Sequence, residues 1–523
     1  MRGFSLLLLC GLACSAAARS AQHVGKKLAD RVPPRPKHGY PMQPGQQVKP
    51  VKRRATTIIP QTVNTTKFAV NGTGLPDVDF DIGESYAGLL PISSAPNASQ
   101  LYFWFFPSSN PLAHDEITIW LNGGPGCSSL EGFLQENGPV LWQYGTFKPV
   151  YNPWNWVNLT NMIWVEQPVG TGFSQGAPTA TNEEEVAAQF LGFFKNFIDT
   201  FGLQNKKIYI AGESYAGYYV PYIADAMFNA KNKKYYDIQS IMIYDPSTSY
   251  PEVQEQIPAV PYVDYWHSLF NFNSTFTADI HARAKKCGYT DFMNKYLTFP
   301  PPGPLPLPPS ALATGCDLWD DIYSAVLLTN PCFDMYQIAT TCPLLWDVLG
   351  FPGSIPYQPA GASIYFNRSD VQRAIHAPIQ PWAECSDGVL LTDTSPPSGL
   401  SVLPKVIERT KRTIVVHGEL DFILIPNGTL LMIQNMTWGG KQGFQQAPAG
   451  QFFVPYHDSG ALGTMAAAGV MGTTHTERGL TWVETRLAGH MGPQYQPSAA
   501  YRQLEFLLGR VGSLEEKGRF TTV

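Results

Sequence analysis

Five short apolar runs, each broken off abruptly, constrain the fold of this chain more than any other feature. Ile117–Leu121 stops at Asn122-Gly-Gly-Pro-Gly, Met162–Val165 at Glu166-Gln-Pro-Val-Gly-Thr-Gly, and Lys207–Ala211 at Gly212-Glu-Ser-Tyr-Ala-Gly; Ile238–Tyr244 and Thr413–Val416 are built alike. A strand with one wet face alternates apolar and polar residues, so continuous apolar runs point to strands covered on both faces. Between the second and third runs, Thr181 and Glu184 predict a capping box. Val186, Phe190, Phe193, Phe194 and Phe197 then recur at helical spacing, and Gly202 can cap the end. Strand, helix, strand predicts an α/β architecture with a mostly parallel central sheet. Residues 246–384 break this rhythm. They hold Cys287, Cys316, Cys332, Cys342 and the Pro-rich piece Pro300–Pro309, with few strand runs. They read as a helical, disulfide-stapled insertion, or cap domain, between sheet-domain halves at 55–245 and 385–523.

The N-terminus points to export. Arg2, the apolar run Phe4–Ala13 and the small residues Ser15–Ala18 form a signal-peptide pattern over 1–21, with cleavage expected between Ala17 and Ala21. Residues 22–54 are basic, rich in Pro and Gln, and end in Lys52-Arg53-Arg54. They read either as a pro-segment or as an uncleaved arm. Residues 1–54 hold eleven Lys or Arg and one acid, Asp30, so the rest carries 25 basic and 40 acidic residues. A body with that excess of acid repels phosphate backbones, and no nucleic-acid partner is expected. No later apolar run reaches membrane-spanning length. Six cysteines follow the leader, and an even number in an exported chain argues for three disulfides. Sequons at Asn64, Asn71, Asn97, Asn158, Asn273, Asn367, Asn427 and Asn435 are candidate glycosylation sites and should lie on the surface. The expected location is the secretory pathway, extracellular or vacuolar.

The strongest chemical signal is Gly212-Glu213-Ser214-Tyr215-Ala216-Gly217, with a strand running in and helix-compatible sequence, Tyr218–Phe228, running out. This is the nucleophile-elbow pattern, in which a strained turn with small neighbours projects a serine above a sheet. Ala216 stands where glycine is usual, and a methyl group should fit there. The serine needs a base and an orienting acid, in the chain order Ser, Asp, His. His490 follows the apolar run Leu480–Val483, where a loop histidine would top the sheet. His417, at a strand end, reads as buried structure, and His457 and His475 fall in a hairpin or loop region. Asp421 follows the strand Thr413–Val416 and is the first choice of acid, with Glu419 as the alternative.

Several motifs together resemble the serine carboxypeptidases of the carboxypeptidase Y type. Trp120-Leu-Asn-Gly-Gly-Pro-Gly-Cys-Ser-Ser is similar to a ten-residue segment of that family. Gly212–Gly217, Glu166-Gln-Pro-Val-Gly-Thr-Gly-Phe-Ser, Gly418–Phe422 and Gly489-His490-Met491 match further segments in the same order, over about residues 80–510. The resemblance implies an α/β-hydrolase fold and a peptidase that removes C-terminal residues from peptides and proteins. It implies Ser214 as nucleophile, His490 as base and then acid, Asp421 as its orienting acid, and the N–H groups of Gly124 and Tyr215 as the oxyanion hole. It implies that Asn122, Glu136 and Glu213 bind the substrate's terminal carboxylate and that Cys127 pairs with Cys385. For the other four cysteines the expected pairs are Cys287–Cys316 and Cys332–Cys342.

No metal or cofactor is implied. Glu131 is expected to face solvent; the alternative places it, with Gln135, beside the substrate's C-terminal side chain, favouring Lys or Arg there. Gly-Glu-Leu-Asp in place of the family's Gly-Asp-x-Asp makes Glu419 a candidate partner behind the acid, and Gly492 in place of a valine is expected to loosen the His490 loop. Glu136 and Glu213 facing one substrate carboxylate predict an acidic pH optimum, because three carboxyl groups in one dry pocket cannot all ionise. Acyl transfer with the same machinery is the alternative activity. A non-enzymatic glycoprotein is disfavoured because every expected catalytic position is filled.

Overall fold

The computed structural model describes residues 59–351, 354–390, 392–457 and 466–522, so the leader and basic arm expected at 1–54 lie outside the described residues. One unit, formed by residues 49–456 and 463–523, carries the sheet and its insertion; the other, 1–48 with 457–462, contributes only His457 to the described residues. In chain order the strands are β1 (Ala69–Val70), β2 (Ser85–Pro91), β3 (Gln100–Phe106), β4 (Glu116–Leu121), β5 (Val140–Leu141), β6 (Val150–Tyr151), β7 (Asn161–Glu166), β8 (Lys207–Glu213), β9 (Asp237–Tyr244), β10 (Arg412–Gly418), β11 (Thr437–Trp438), β12 (Lys441–Gln442), β13 (Gly450–Val454), β14 (Gly469–Glu477) and β15 (Leu480–Thr485). Eleven of them form one sheet in the order β1-β2-β3-β7-β4-β8-β9-β10-β15-β14-β13. Its centre, β7 to β15, is parallel. Antiparallel strands flank it on both sides.

The apolar runs are these central strands, and both faces are covered. In β3, Tyr102, Trp104 and Phe106 enter one core while Leu101, Phe103 and Phe105 enter the other. In β4, Trp120 joins the first core and Ile117, Ile119 and Leu121 the second. This is the two-residue period of a strand buried on both sides. The helix Glu183–Phe201 covers the second core. Its Phe197 ring meets Phe105 at 5.1 Å and Phe103 at 5.5 Å, both edge-on. Each phenylalanine so buried contributes about 2–3 kcal/mol of hydrophobic stabilisation.

The helix start differs from expectation by one residue. Asn182, not Thr181, is the N-cap, its side chain accepting from Glu185 N at 2.9 Å. The Glu185 carboxylate, rather than that of Glu184, reaches back to Thr181 N at 2.8 Å. Asn caps at least as well as Thr, and the run Glu183–Glu185 offers an acid at either register. Gly202 ends the helix in the left-handed region, φ 68°, as expected.

Between residues 246 and 384 no strand occurs among the described residues. The helices Ile257–Tyr265, Ser274–Lys286, Tyr289–Tyr296 and Leu318–Thr329 surround Ile257, Phe270, Ile280, Tyr289 and Ile322, with Phe422 and Leu431 of the sheet domain in the same core. Cys287 is bonded to Cys316, Cys332 to Cys342, and Cys127 to Cys385. The last bridge ties the turn after β4 to the end of this region. Asn64, Asn71, Asn97, Asn273 and Asn367 are exposed, and Asn158, Asn427 and Asn435 half-buried. The Asn367 amide is engaged at both ends with the Trp382 backbone.

Candidate active site

The elbow forms where β8 ends. Ser214 has φ 60°, a conformation that costs a non-glycine residue strain. The turn is held by Ser214 N donating to Tyr244 O at 3.0 Å and by its carbonyl accepting from Gly217 and Ser247 N–H, both at 2.9 Å. A helix, Ala216–Ala230, leaves from the turn. Ala216 is accommodated because Gly212 faces it: a Cβ on Gly212 would lie 2.7 Å from the Ala216 methyl. Ser214 Oγ makes no hydrogen bond among the described residues.

Asp421 follows β10 and His490 follows β15, the neighbouring strand. His490 Nδ1 donates to Asp421 Oδ2 at 2.8 Å, and both side chains are buried. His490 Nε2 is buried with no partner. With Nδ1 bonded to the carboxylate, Nε2 is free to take a proton. Burial opposes a charge on Asp421, but His490 and His417 outweigh it and hold the carboxyl below its usual range. The His490 loop is pinned by its own N–H to Tyr336 O, 2.8 Å, and by Gly492 N to His490 O, 3.0 Å. Gly492 is thus tied to the turn that carries His490. A Cβ there would lie 2.7 Å from the Tyr244 ring, so glycine is what the packing admits. Glu419 Oε1 accepts from Leu487 N at 2.8 Å. It anchors the approach to His490 and does not touch the imidazole.

The glycine-rich turn after β4 lies against the elbow. A Cβ on Gly123 would meet Tyr215 N and lie 2.8 Å from Ser214 Cβ. The N–H groups of Gly124 and Tyr215 donate to no group among the described residues. Two uncommitted N–H groups beside a serine can bind a developing oxyanion. The turn is braced from behind: Ser128 Oγ bonds Glu166 Oε1, Phe173 N donates to Glu166 Oε2 at 2.5 Å, and Ser128 N donates to Glu384 O at 2.7 Å. Burial pushes Glu166 up to about 7, against the hydrogen bonds from Ser128 and Phe173.

Asn122, Glu136 and Glu213 come together as expected, and Glu131 joins them. Asn122 Oδ1 accepts from Trp120 Nε1 at 2.7 Å and Gly132 N at 3.3 Å, which orients the amide. Its Nδ2 then faces Glu213 Oε1 at 2.9 Å, Glu131 Oε2 at 3.0 Å and Glu136 Oε1 at 3.5 Å. The three carboxyls have oxygens within 4.8 Å of one another, and no basic side chain bonds to them among the described residues. Glu131 is thus 7% exposed rather than solvent-facing. A one-turn π-helix, Gly132–Glu136, wraps it inward. Burial pushes Glu136 up to about 7, Asn122 and Glu213 working against it. Glu213 rises well above the carboxylate range through burial and then its neighbours Glu136 and Glu131. Glu131 rises likewise through burial, Glu384 and Glu136. Oε2 of Glu136 and of Glu213 lacks an amide or hydroxyl partner, and the two carboxyls are placed to share a proton.

A cation would find oxygens in this cluster, or in the group Asp245, Asp421 and His490. Carboxyls held neutral by burial suit a hydrogen-bonded anion better. Glu384, Asp347 and Asp245 were not anticipated. Asp245 alone carried a signal, since it ends an apolar run as Asp421 does.

A family model described as serine carboxypeptidase matches residues 76–509. A protein of Arthroderma benhamiae named a probable serine carboxypeptidase is 57% identical over 99% of this chain and all of its own. The serine-type carboxypeptidase F of Aspergillus niger is 46% identical over 91% of this chain and 96% of its own. Among solved structures, a prohormone-processing carboxypeptidase of Saccharomyces cerevisiae has a TM-score of 0.66 at 23% identity, covering 87% of this chain and 98% of that one. That likeness concerns the fold, which is the α/β-hydrolase fold with a helical insertion.

Proposed function

Since the chain belongs to the serine carboxypeptidase family and is a hydrolase of that class, we propose how it works. Ser214 Oγ attacks the last peptide carbonyl while His490 Nε2 takes its proton, and Asp421 steadies the imidazolium through Nδ1. The N–H groups of Gly124 and Tyr215 hold the oxyanion. His490 then protonates the leaving amine, and water releases the acyl group by the same steps in reverse. The observation that carries this reading is the His490 imidazole, bonded to Asp421 at Nδ1 and open at Nε2.

Asn122, Glu136 and Glu213 bind the substrate's free carboxylate, with at least one glutamic acid protonated and donating. That requirement makes the enzyme most active in acid. It acts in the secretory pathway, extracellular or vacuolar, a reading supported by the leader-like residues 1–21 and three disulfides. No described helix is long and apolar enough to cross a membrane. The similar proteins of Arthroderma benhamiae and Aspergillus niger are named carboxypeptidases, and no observation favours acyl transfer. Incubation with a blocked dipeptide and, separately, a glucose ester tests the reading. Release of the C-terminal amino acid by water is expected. Transfer of the ester's acyl group to another acceptor, with the dipeptide left intact, would overturn it.

A further inference from the structure

A second acid and a second histidine lie buried behind the Asp421–His490 pair, and the mechanism does not use them. Asp245 follows β9, the strand beside β10, and His417 sits within β10. Both are fully buried. Asp245 is fixed at both ends: its N–H donates to Val416 O at 2.8 Å, and its Oδ1 accepts from Gly418 N at 2.7 Å. Its Oδ2 has no backbone or amide partner. His417 Nε2 donates to Leu424 O at 2.5 Å. A carbonyl only accepts, so Nε2 carries a hydrogen. That same nitrogen is 3.5 Å from Asp245 Oδ1 and 3.6 Å from Asp421 Oδ2. Asp245, Asp421 and His490 offer atoms all within 4.8 Å of one another.

We propose that Asp245 and His417 are positioning residues that hold one proton behind Asp421, Asp245 donating it when it rests on that carboxyl, and so keep Asp421 an anion aimed at His490 as the medium acidifies. This rests on the proposed roles of Ser214, His490 and Asp421. Two carboxyls this close in a dry site cannot both be charged unless a cation sits with them. One proton, on Asp245 or on the imidazole, satisfies that condition either way: Asp245 and His417 are then neutral together, and the group with Asp421 carries a single negative charge. The surroundings favour retaining it. Glu484 is the register partner of His417 on β15. Glu419, Glu255, Asp334 and Tyr262 act on or beside Asp421, and Glu213 faces Asp245. The nearest arginine among these contacts, Arg486, acts on Glu419 and Glu484. Burial raises Asp245 well above the carboxylate range; it works against a charged His417, which the two aspartates nevertheless raise.

The test is the rate at which a sulfonyl fluoride inactivates the full-length enzyme as a function of pH. The reagent carries no carboxylate, so the glutamate cluster takes no part in binding it, and Glu136, which also acts on His490, is the same in the parent and in every variant. His417→Gln and Asp245→Leu remove the proton or its donor. Each is expected to move the acid limb up by about one pH unit, a tenfold loss at a fixed pH on that limb, with KM for a peptide unchanged. Asp245→Asn donates permanently and is expected to leave the limb where it is. Thermal melting of each variant separates loss of fold from the shift. A uniform fall at every pH in His417→Gln, an unmoved limb, or a shift in Asp245→Asn as large as in Asp245→Leu overturns the proposal. Failure of the reagent to label Ser214 in the unaltered enzyme would instead reject the reading on which it rests.

Discussion

Glu136 offers the sharpest handle on substrate binding. Its carboxyl titrates near 7, burial raising it against Asn122 and Glu213. Glu213 is raised as well and keeps a proton of its own; if binding the substrate's terminal carboxylate needs the Glu136 proton in addition, KM is constant well below this value and rises tenfold per unit above it. Between pH 5 and 8 KM should rise about tenfold, a loss of about 1.4 kcal/mol of binding. The assay is steady-state hydrolysis of a blocked dipeptide alongside its C-terminal ester, which lacks the anion. The ester's KM should stay flat. Glu136→Gln donates at every pH and should flatten the dipeptide's KM too. A flat KM in the unaltered enzyme, or an equal rise for dipeptide and ester, would refute the shared-proton argument.

The same carboxyls make stability pH-dependent. Glu131, Glu136 and Glu213 have folded-state values above their unfolded ones. Their contribution is complete below the unfolded value, about 4.3, and is lost as pH rises through the folded value. Tm should therefore fall from pH 5 to pH 8, and less so in Glu213→Gln; a Tm that rises equally in both contradicts this. Phe197→Ala empties the space between the helix Glu183–Phe201 and β3 and should cost about 3–5 kcal/mol in denaturant unfolding. Gly492→Val places a side chain against Tyr244 and should lower kcat more than KM; unchanged kcat would show that the His490 loop yields easily.

The parallel strands and the elbow were legible because each is written locally: an apolar run, a sharp stop, a serine flanked by small residues. The Asp421 and His490 turns could be picked out only once several motifs were taken together, since a single Asp or His carries little signal. What the sequence concealed is long-range. Glu131 looks like a surface acid and is drawn inward by Asn122 and a tight π-turn. His417 was recognisable as buried, but not as a neighbour of Asp245, 172 positions earlier, because only strand order sets β9 beside β10. The helix cap shifted by one residue because adjacent acids made two registers nearly equivalent.

The central claim is that Ser214 is a nucleophile activated by His490. Mass-spectrometric mapping of the enzyme after treatment with a sulfonyl fluoride tests it most directly. One reagent per chain, on the peptide carrying Ser214, with activity lost in proportion and no labelling in His490→Ala, is the predicted result. Modification of a different serine, or full activity in Ser214→Ala, would contradict it.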